Sequence, residues 1–229
     1  MGRYNTLLEY YHAHKLDVDQ EYTDGALINP NTYPLKYKIS KGAILFADLP
    51  NFTKLSREQT IENTIKYINR FYAWIEAEAI NLYNGIVDKF IGDAIMIVFP
   101  NDLHDNAIIS ALHTAKSIIE EDSHDYSPKI GIAAGEYAIC EVGTTKRNEV
   151  TVIGSTVNLA ARCVDNCQSN NIKTADCNNK LIEEVFNDNT IWDIIATNDY
   201  LKGIGNIDTI CMKYKITRYK FSKSDFQGK

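Results

Sequence analysis

A mixed α/β (α+β) fold on the ferredoxin-like βαββαβ plan, with a C-terminal extension, is predicted by three observations. Short apolar runs of strand length, residues 42–46 and 94–99, each lie beside a single carboxylate, Asp48 and Asp93. Helical periodicity fills two windows, 56–82 and 105–121. A strand pattern at 129–134 then completes the β-α-β-β-α-β order.

Taken along the chain, residues 1–40 are rich in Tyr, Asp and Asn, carry Pro30 and Pro34, and show one helical stretch at 4–12, so they read as an N-terminal arm. Residues 41–229 form the domain. Its first strand ends at Asp48, a carboxylate at a strand tip. Ser56 followed by Gln59 reads as a capping box opening one long helix over 56–82, with Ile61, Ile65, Ile68, Tyr72, Ile75 and Ala79 at helical spacing. Asn84-Gly85 turns the chain into strands 86–90 and 94–99, and the tight connection Ile91-Gly92-Asp93 puts Asp93 on a hairpin tip. In the second helix Ile108, Leu112, Ala115 and Ile119 point inward. After the strand at 129–134 come a strand-like segment at 137–142, a polar turn at 143–149 and a strand at 150–153. Gly154-Ser155 opens a helix to about 167. A helical segment at 178–186 and strands at 191–201 and 209–216 end the pattern.

Composition narrows the function. With 229 residues, 45% apolar and 24% charged, the chain has the statistics of a globular domain with a sizeable core. A net charge of −6 with no Lys/Arg tract argues against extended nucleic-acid binding, so phosphate chemistry must be local or metal-borne. No apolar run approaches the roughly 20 residues of a membrane span, and the polar start does not read as a signal peptide. The five cysteines, Cys140, Cys163, Cys167, Cys177 and Cys211, are odd in number and scattered, which suits a reduced, cytoplasmic protein. Cys163 and Cys167 are four apart, but no second half-site for zinc accompanies them.

Two carboxylates at strand ends can bridge two magnesium ions, because Mg²⁺ takes one or two protein carboxylates and completes its shell with water and phosphate. Taken singly, each is equally a turn aspartate. The surrounding words decide. Phe46-Ala47-Asp48-Leu49-Pro50-Asn51-Phe52-Thr53 resembles the first metal motif of class III adenylate and guanylate cyclases, and Lys89-Phe90-Ile91-Gly92-Asp93-Ala94 resembles the second. Thr151-Val152-Ile153-Gly154-Ser155-Thr156-Val157-Asn158-Leu159-Ala160-Ala161-Arg162 resembles that family's signature stretch. Asn158 and Arg162, four apart on a helix, share one face about 6 Å apart at Cβ and can act together.

The resemblance implies a class III cyclase catalytic domain that turns a nucleoside triphosphate into a 3′,5′-cyclic monophosphate and pyrophosphate. Asp48, Asp93 and the carbonyl of Leu49 would hold two divalent ions, Mg²⁺ or Mn²⁺. Asn158 would hold the ribose while Arg162 meets charge on the α-phosphoryl, a task that suits a permanent, fork-shaped cation. Lys202 matches the lysine that grips the departing pyrophosphate, and Phe52 and Thr53 fall in the substrate-binding part of the first motif. In the family the metal aspartates of one chain face the remaining site residues of its partner, so a two-fold homodimer is expected. No histidine falls in these segments, so histidine base chemistry is not expected.

For the base, Lys89 and Thr151 match the adenine-reading pair, which implies ATP. Pro50, Ser155 and Cys163 depart from the usual bacterial adenylate cyclase pattern, and only an arm accompanies the domain. In these respects the chain resembles stand-alone bacterial pyrimidine cyclases of antiphage (Pycsar) defence, which make cyclic UMP or cyclic CMP to trigger an effector. Cyclic UMP is the expected product, then cyclic CMP, with cyclic AMP as the alternative. A catalytically silent nucleotide-binding module is the alternative from another class. A diguanylate cyclase is set aside because the hairpin lacks its Gly-Gly-Asp/Glu-Glu-Phe sequence.

Overall fold

A computed structural model describes residues 4–14, 36–144, 146–175 and 177–215. In chain order these form helix α1 (Leu7–Ala13), strand β1 (Lys36–Asp48), helices α2 (Phe52–Glu58) and α3 (Ile61–Glu76), and a π-helical turn (Ala77–Leu82). Strands β2 (Ile86–Ile91) and β3 (Ala94–Pro100), helix α4 (Ala107–Glu120), and strands β4 (Lys129–Thr144) and β5 (Arg147–Ile153) follow. The remainder is helix α5 (Ser155–Asp165), strand β6 (Asn171–Ala175), helix α6 (Asn179–Val185), and strands β7 (Trp192–Leu201) and β8 (Gly205–Tyr214).

The sheet order is β2-β3-β1-β4-β6-β8-β7, with β5 pairing the outer half of β4. Its first four strands have the expected ferredoxin-like arrangement. Strand β1 lies between two antiparallel neighbours, and side chains alternate across it. Ala43, Leu45 and Ala47 face one core with Phe71, Ile75, Leu112 and Ile119 of the helices. Ile44 and Phe46 face a second core with Leu7, Tyr10, Leu159, Ala160 and Cys163. Because both faces are covered from Gly42 to Ala47, that part of β1 reads as an unbroken apolar run rather than an alternating one.

The arm contributes to this second core. Thr6 caps α1 by accepting from the Glu9 backbone N–H, Leu7 and Tyr10 are buried, and the Tyr10 hydroxyl donates to Asp102 at 2.6 Å. The domain's first strand begins at Lys36, ahead of the expected start at 41, because residues 36–40 pair with 137–141 of β4. The final expected strand reached Ile216, which lies outside the described residues; β8 ends at Tyr214.

Two expectations are corrected. The long helix over 56–82 is two helices, and Ser56 does not cap it: its hydroxyl donates to the Thr53 carbonyl inside α2. Gln59 is extended, and Thr60 is the true N-cap, accepting from Asn63 N–H at 3.3 Å. Ile61 and Ile65 consequently face solvent, Ile61 being 79% exposed, and the buried face is Phe71, Ile75, Ala79 and Ile80. Strand β6 was missed, since Lys173 in its centre masks an otherwise buried segment. That lysine is only 6% exposed and bonds Asp199 and Asn166, each at 2.7 Å. Its ammonium, followed by the Thr209 hydroxyl, holds the Asp199 carboxyl down at about 2.

Helix α5 sits directly on β4 because Gly131 carries no side chain. A Cβ there would stand 2.2 Å from the Val164 nitrogen and 2.5 Å from the Ala160 carbonyl oxygen, both rigid backbone. Gly131→Ala should therefore push α5 off the sheet and cost about 3 kcal/mol, a fall of roughly 6–12 °C in melting temperature by calorimetry.

Candidate active site

Asp48 is the last residue of β1, where the strand leaves the sheet. Register sets its neighbours: Ala94 of β3 on one side and Lys129 of β4 on the other. The Lys129 ammonium forms an ion pair with the Asp48 carboxylate, both side chains being mostly buried. Burial raises the Asp48 carboxyl above its ordinary value, Lys129 pulls it back, and the charges of Asp93 and Asp165 push it up again.

Asp93 occupies the β2–β3 hairpin tip, as its spacing predicts. Gly92 takes the left-handed conformation that the turn requires, with φ +63°. The Asp93 carbonyl accepts from the Leu49 N–H at 3.2 Å, which ties the tip to the end of β1. Tyr72 braces the hairpin: its ring packs on Phe90 at 4.3 Å and its hydroxyl donates to the Gly92 carbonyl.

These elements form one wall of a cleft of about 710 Å³. Its lining includes Asp48, Asp93, Lys89, Thr151, Asn158 and Arg162, so six of the sequence-predicted residues come together within a single chain. Gly154 precedes α5, whose opening turns carry Asn158 toward the cleft while Leu159, Ala160 and Cys163 anchor the opposite face in the core. Leu49 is buried behind the site, and Phe52, Thr53 and Lys202 are not among the lining residues; Lys202 lies on the turn between β7 and β8.

Several residues at the site were not found from sequence. Lys89 pairs with Glu149 at 2.8 Å, and Arg162 pairs with Asp165 at 2.5 Å. Asp165 was legible, since it stands three residues after Arg162 on the same helix. Lys129 and Glu149 were not, because only strand register and folding bring them to their partners. Each cation on this face therefore rests against a carboxylate of its own chain.

The acidic pair fits divalent metal. Asp48 and Asp93 are close enough for one charge to raise the other's proton affinity, and a lysine already supplies a positive charge there. No group of three or more potential His, Cys, Asp or Glu ligands occurs among the described residues. Such a pair suits ions that draw the rest of their shell from water and phosphate.

The family model for the adenylate and guanylate cyclase catalytic domain matches residues 36–209. An uncharacterized protein of Mycobacterium tuberculosis is 32% identical over 131 residues, covering 56% of this chain and 24% of its own length. The terminal-differentiation-specific adenylate cyclase of Dictyostelium discoideum is 33% identical over 134 residues, 55% of this chain and 6% of that protein. The chain thus matches about a quarter or less of these curated relatives. Among solved structures, the adenylyl cyclase CyaB from P. aeruginosa has a TM-score of 0.68 at 20% identity, covering 82% of this chain and 100% of that one. The guanylate cyclase domain of RhGC from Catenaria anguillulae, in complex with GTP, has a TM-score of 0.64 at 19% identity, covering 78% and 100%. At these identities the structures establish a shared fold.

Removing Lys129 should leave the Asp48 carboxylate buried without its cation. Lys129→Ala is expected to cost about 2 kcal/mol at pH 7. Since burial has already raised the Asp48 carboxyl, protonation relieves the unpaired charge, so the deficit should shrink as pH falls through the carboxylate range. Denaturant titrations at several pH values read this directly.

Proposed function

The chain belongs to the adenylate and guanylate cyclase catalytic-domain family, and on that premise we propose that it converts a nucleoside triphosphate into its 3′,5′-cyclic monophosphate and pyrophosphate. The observation that carries this reading is that Asp48, Asp93, Lys89, Thr151, Asn158 and Arg162 all line one open cleft, so that a second copy packed across it would set the aspartates of one chain against the Lys, Thr, Asn and Arg of the other.

The ribose 3′-oxygen attacks the α-phosphorus, the bond to the β-phosphate oxygen breaks, pyrophosphate leaves, and the hydroxyl proton passes to solvent. Asn158 holds the ribose. Arg162 leaves Asp165 to donate to the α-phosphoryl oxygens as charge builds there, in a site where a fixed fork of donors acts without reorganisation. Asp48 and Asp93 would hold two divalent ions, Mg²⁺ or Mn²⁺, which when bound supply charge neutralisation and a more acidic 3′-hydroxyl. The Leu49 carbonyl is proposed to complete that shell, and Phe52 and Thr53 to border the substrate.

A two-fold homodimer is part of the proposal. The cleft is open, and Ile91 and Ile153 stand half exposed on its lining, apolar surface that a second copy would cover. Lys202, outside the cleft of its own chain, would meet the pyrophosphate in that assembly.

The finer reading is a pyrimidine cyclase, acting on UTP or CTP, whose product signals to an effector in antiphage defence; the motif departures Pro50, Ser155 and Cys163 support it. The second reading is ATP, favoured by Lys89 and Thr151 lining the same cleft.

Incubation of the protein with ATP, CTP, GTP and UTP separately, with Mn²⁺, should give one dominant cyclic product by mass spectrometry. Cyclic AMP alone would select the second reading, and no cyclic product from any of the four would reduce the chain to a nucleotide-binding module. Arg162→Lys should lower kcat by about 100-fold or more, as losing one fixed transition-state donor does. Asp48→Ala and Arg162→Ala should each be inactive, and mixing them should restore one intact site per heterodimer. Dimers that stay inactive would disprove a shared site.

A further inference from the structure

Strand β2 is interrupted by a bulge. Val87 pairs with Ile97 and Lys89 with Met96, so Asp88 is an extra residue without a register partner on β3. A bulge re-aims side chains, and this one sends two consecutive residues toward β5. Lys89 reaches Glu149 at 2.8 Å, and Asp88 Oδ2 accepts from the Thr151 hydroxyl at 2.8 Å. Strands β2 and β5 are not neighbours in the sheet, and these two contacts join them at the cleft. Thr151 is itself buried, and the second Asp88 oxygen, Oδ1, is buried with no hydrogen-bond partner.

A threonine hydroxyl can usually donate and accept, so alone it does not distinguish an amino group from a carbonyl. An ionised carboxylate only accepts. With its proton committed to Asp88, Thr151 has only lone pairs to offer the cleft. Lys89, an ammonium, offers only donors.

We propose that Asp88 is a specificity-determining positioning residue that locks Thr151 as a hydrogen-bond acceptor, so that the cleft selects bases with an amino group at purine C6 or pyrimidine C4, adenine or cytosine, over guanine and uracil, which carry a carbonyl there. This rests on the reading that the cleft holds the nucleotide base. Adenine and cytosine each present an amino group beside a ring nitrogen that accepts, matching one acceptor and one donor. The imide edge of uracil has carbonyls on both sides of its N–H, and guanine has its carbonyl at C6, with its amino group at C2 on the far side of N1–H. A buried carboxylate directly behind Thr151 opposes those oxygens electrostatically. Within the pyrimidine reading, cytosine therefore ranks ahead of uracil, reversing the order expected from sequence.

The charged state needed is the one present at neutral pH. Burial raises the Asp88 carboxyl to about 6, against the pull of the Thr151 hydroxyl, the neighbouring Lys89 and the Val152 amide, with Glu149 adding to the rise. Cys140 of β4 also faces it. At pH 7 the carboxylate is mostly ionised.

The test measures equilibrium binding of α,β-methylene analogues of ATP, CTP, GTP and UTP, with Mn²⁺ at pH 7.5, so it reads the base pocket whether or not turnover occurs. Wild type should favour adenine or cytosine over uracil and guanine by about tenfold or more. Asp88→Asn should reduce that preference to within about threefold, because its amide can donate to Thr151 and free the hydroxyl to face a carbonyl. Thr151→Ala should also lose the preference, and adding Asp88→Asn to it should change nothing further. Uracil or guanine preferred by wild type, or an unchanged preference in folded Asp88→Asn, overturns the proposal. Selective binding without any cyclic product would uphold it and reject the cyclase reading instead.

Folding of the variant is checked by its pH dependence. A carboxyl whose folded value is raised binds its proton more tightly in the folded state, so its contribution to stability falls as pH rises from about 4 to about 6. Asp88→Asn should remove that slope and melt no lower than wild type at pH 7.

Discussion

From Gly42 onward strand β1 is covered on both faces and paired on both edges, and that constraint organises the molecule. Nowhere along the interior of such a strand can a charge be hydrated, so the first position where a carboxylate is tolerated is the point where the strand leaves the sheet. Asp48 occupies that point. Its backbone is fixed by register with β3 and β4, and the same register delivers the Lys129 ammonium that makes partial burial of the carboxylate bearable. The hairpin that carries Asp93 is tied to the next residue, Leu49, so the two aspartates are set by neighbouring parts of one rigid sheet.

The cleft is self-neutralised at rest. Lys129, Lys89 and Arg162 lie against Asp48, Glu149 and Asp165. Each pairing limits the cost of holding charge at a partly buried surface, and each can be exchanged. In the proposed reaction a triphosphate would compete with Asp165 for Arg162, and a divalent ion with Lys129 for Asp48. Under that proposal binding would replace internal counter-charges rather than fill a bare charged pocket, and the pairs limit the cost of charge in the free protein.

Local patterns were read well where one force dominated. The apolar run of β1, the Asn84-Gly85 turn, the β2–β3 hairpin and helix α4 each follow from burial or turn chemistry within a few residues. The errors arose where two local signals competed. Ser56 and Thr60 both offer an N-cap four residues apart, and the extended Gln59 selects the second, which rotates Ile61 and Ile65 outward. Strand β6 escaped notice because Lys173 looks exposed by composition; it is buried only because Asp199, from a distant strand, neutralises it.

Sequence by itself determined which residues are candidates for the chemistry: Asp48, Asp93, Asn158 and Arg162 stand in short motifs whose spacing fixes a strand end, a hairpin tip and a helix face, all properties of a few consecutive residues. Tertiary structure alone decided what those groups touch. The pairing of Asp48 with Lys129, of Lys89 with Glu149 and of Thr151 with Asp88 depends on strand register and on a bulge, which join residues far apart in the chain. Backbone pairing is indifferent to such partners until the sheet closes, so no local window of sequence contains them.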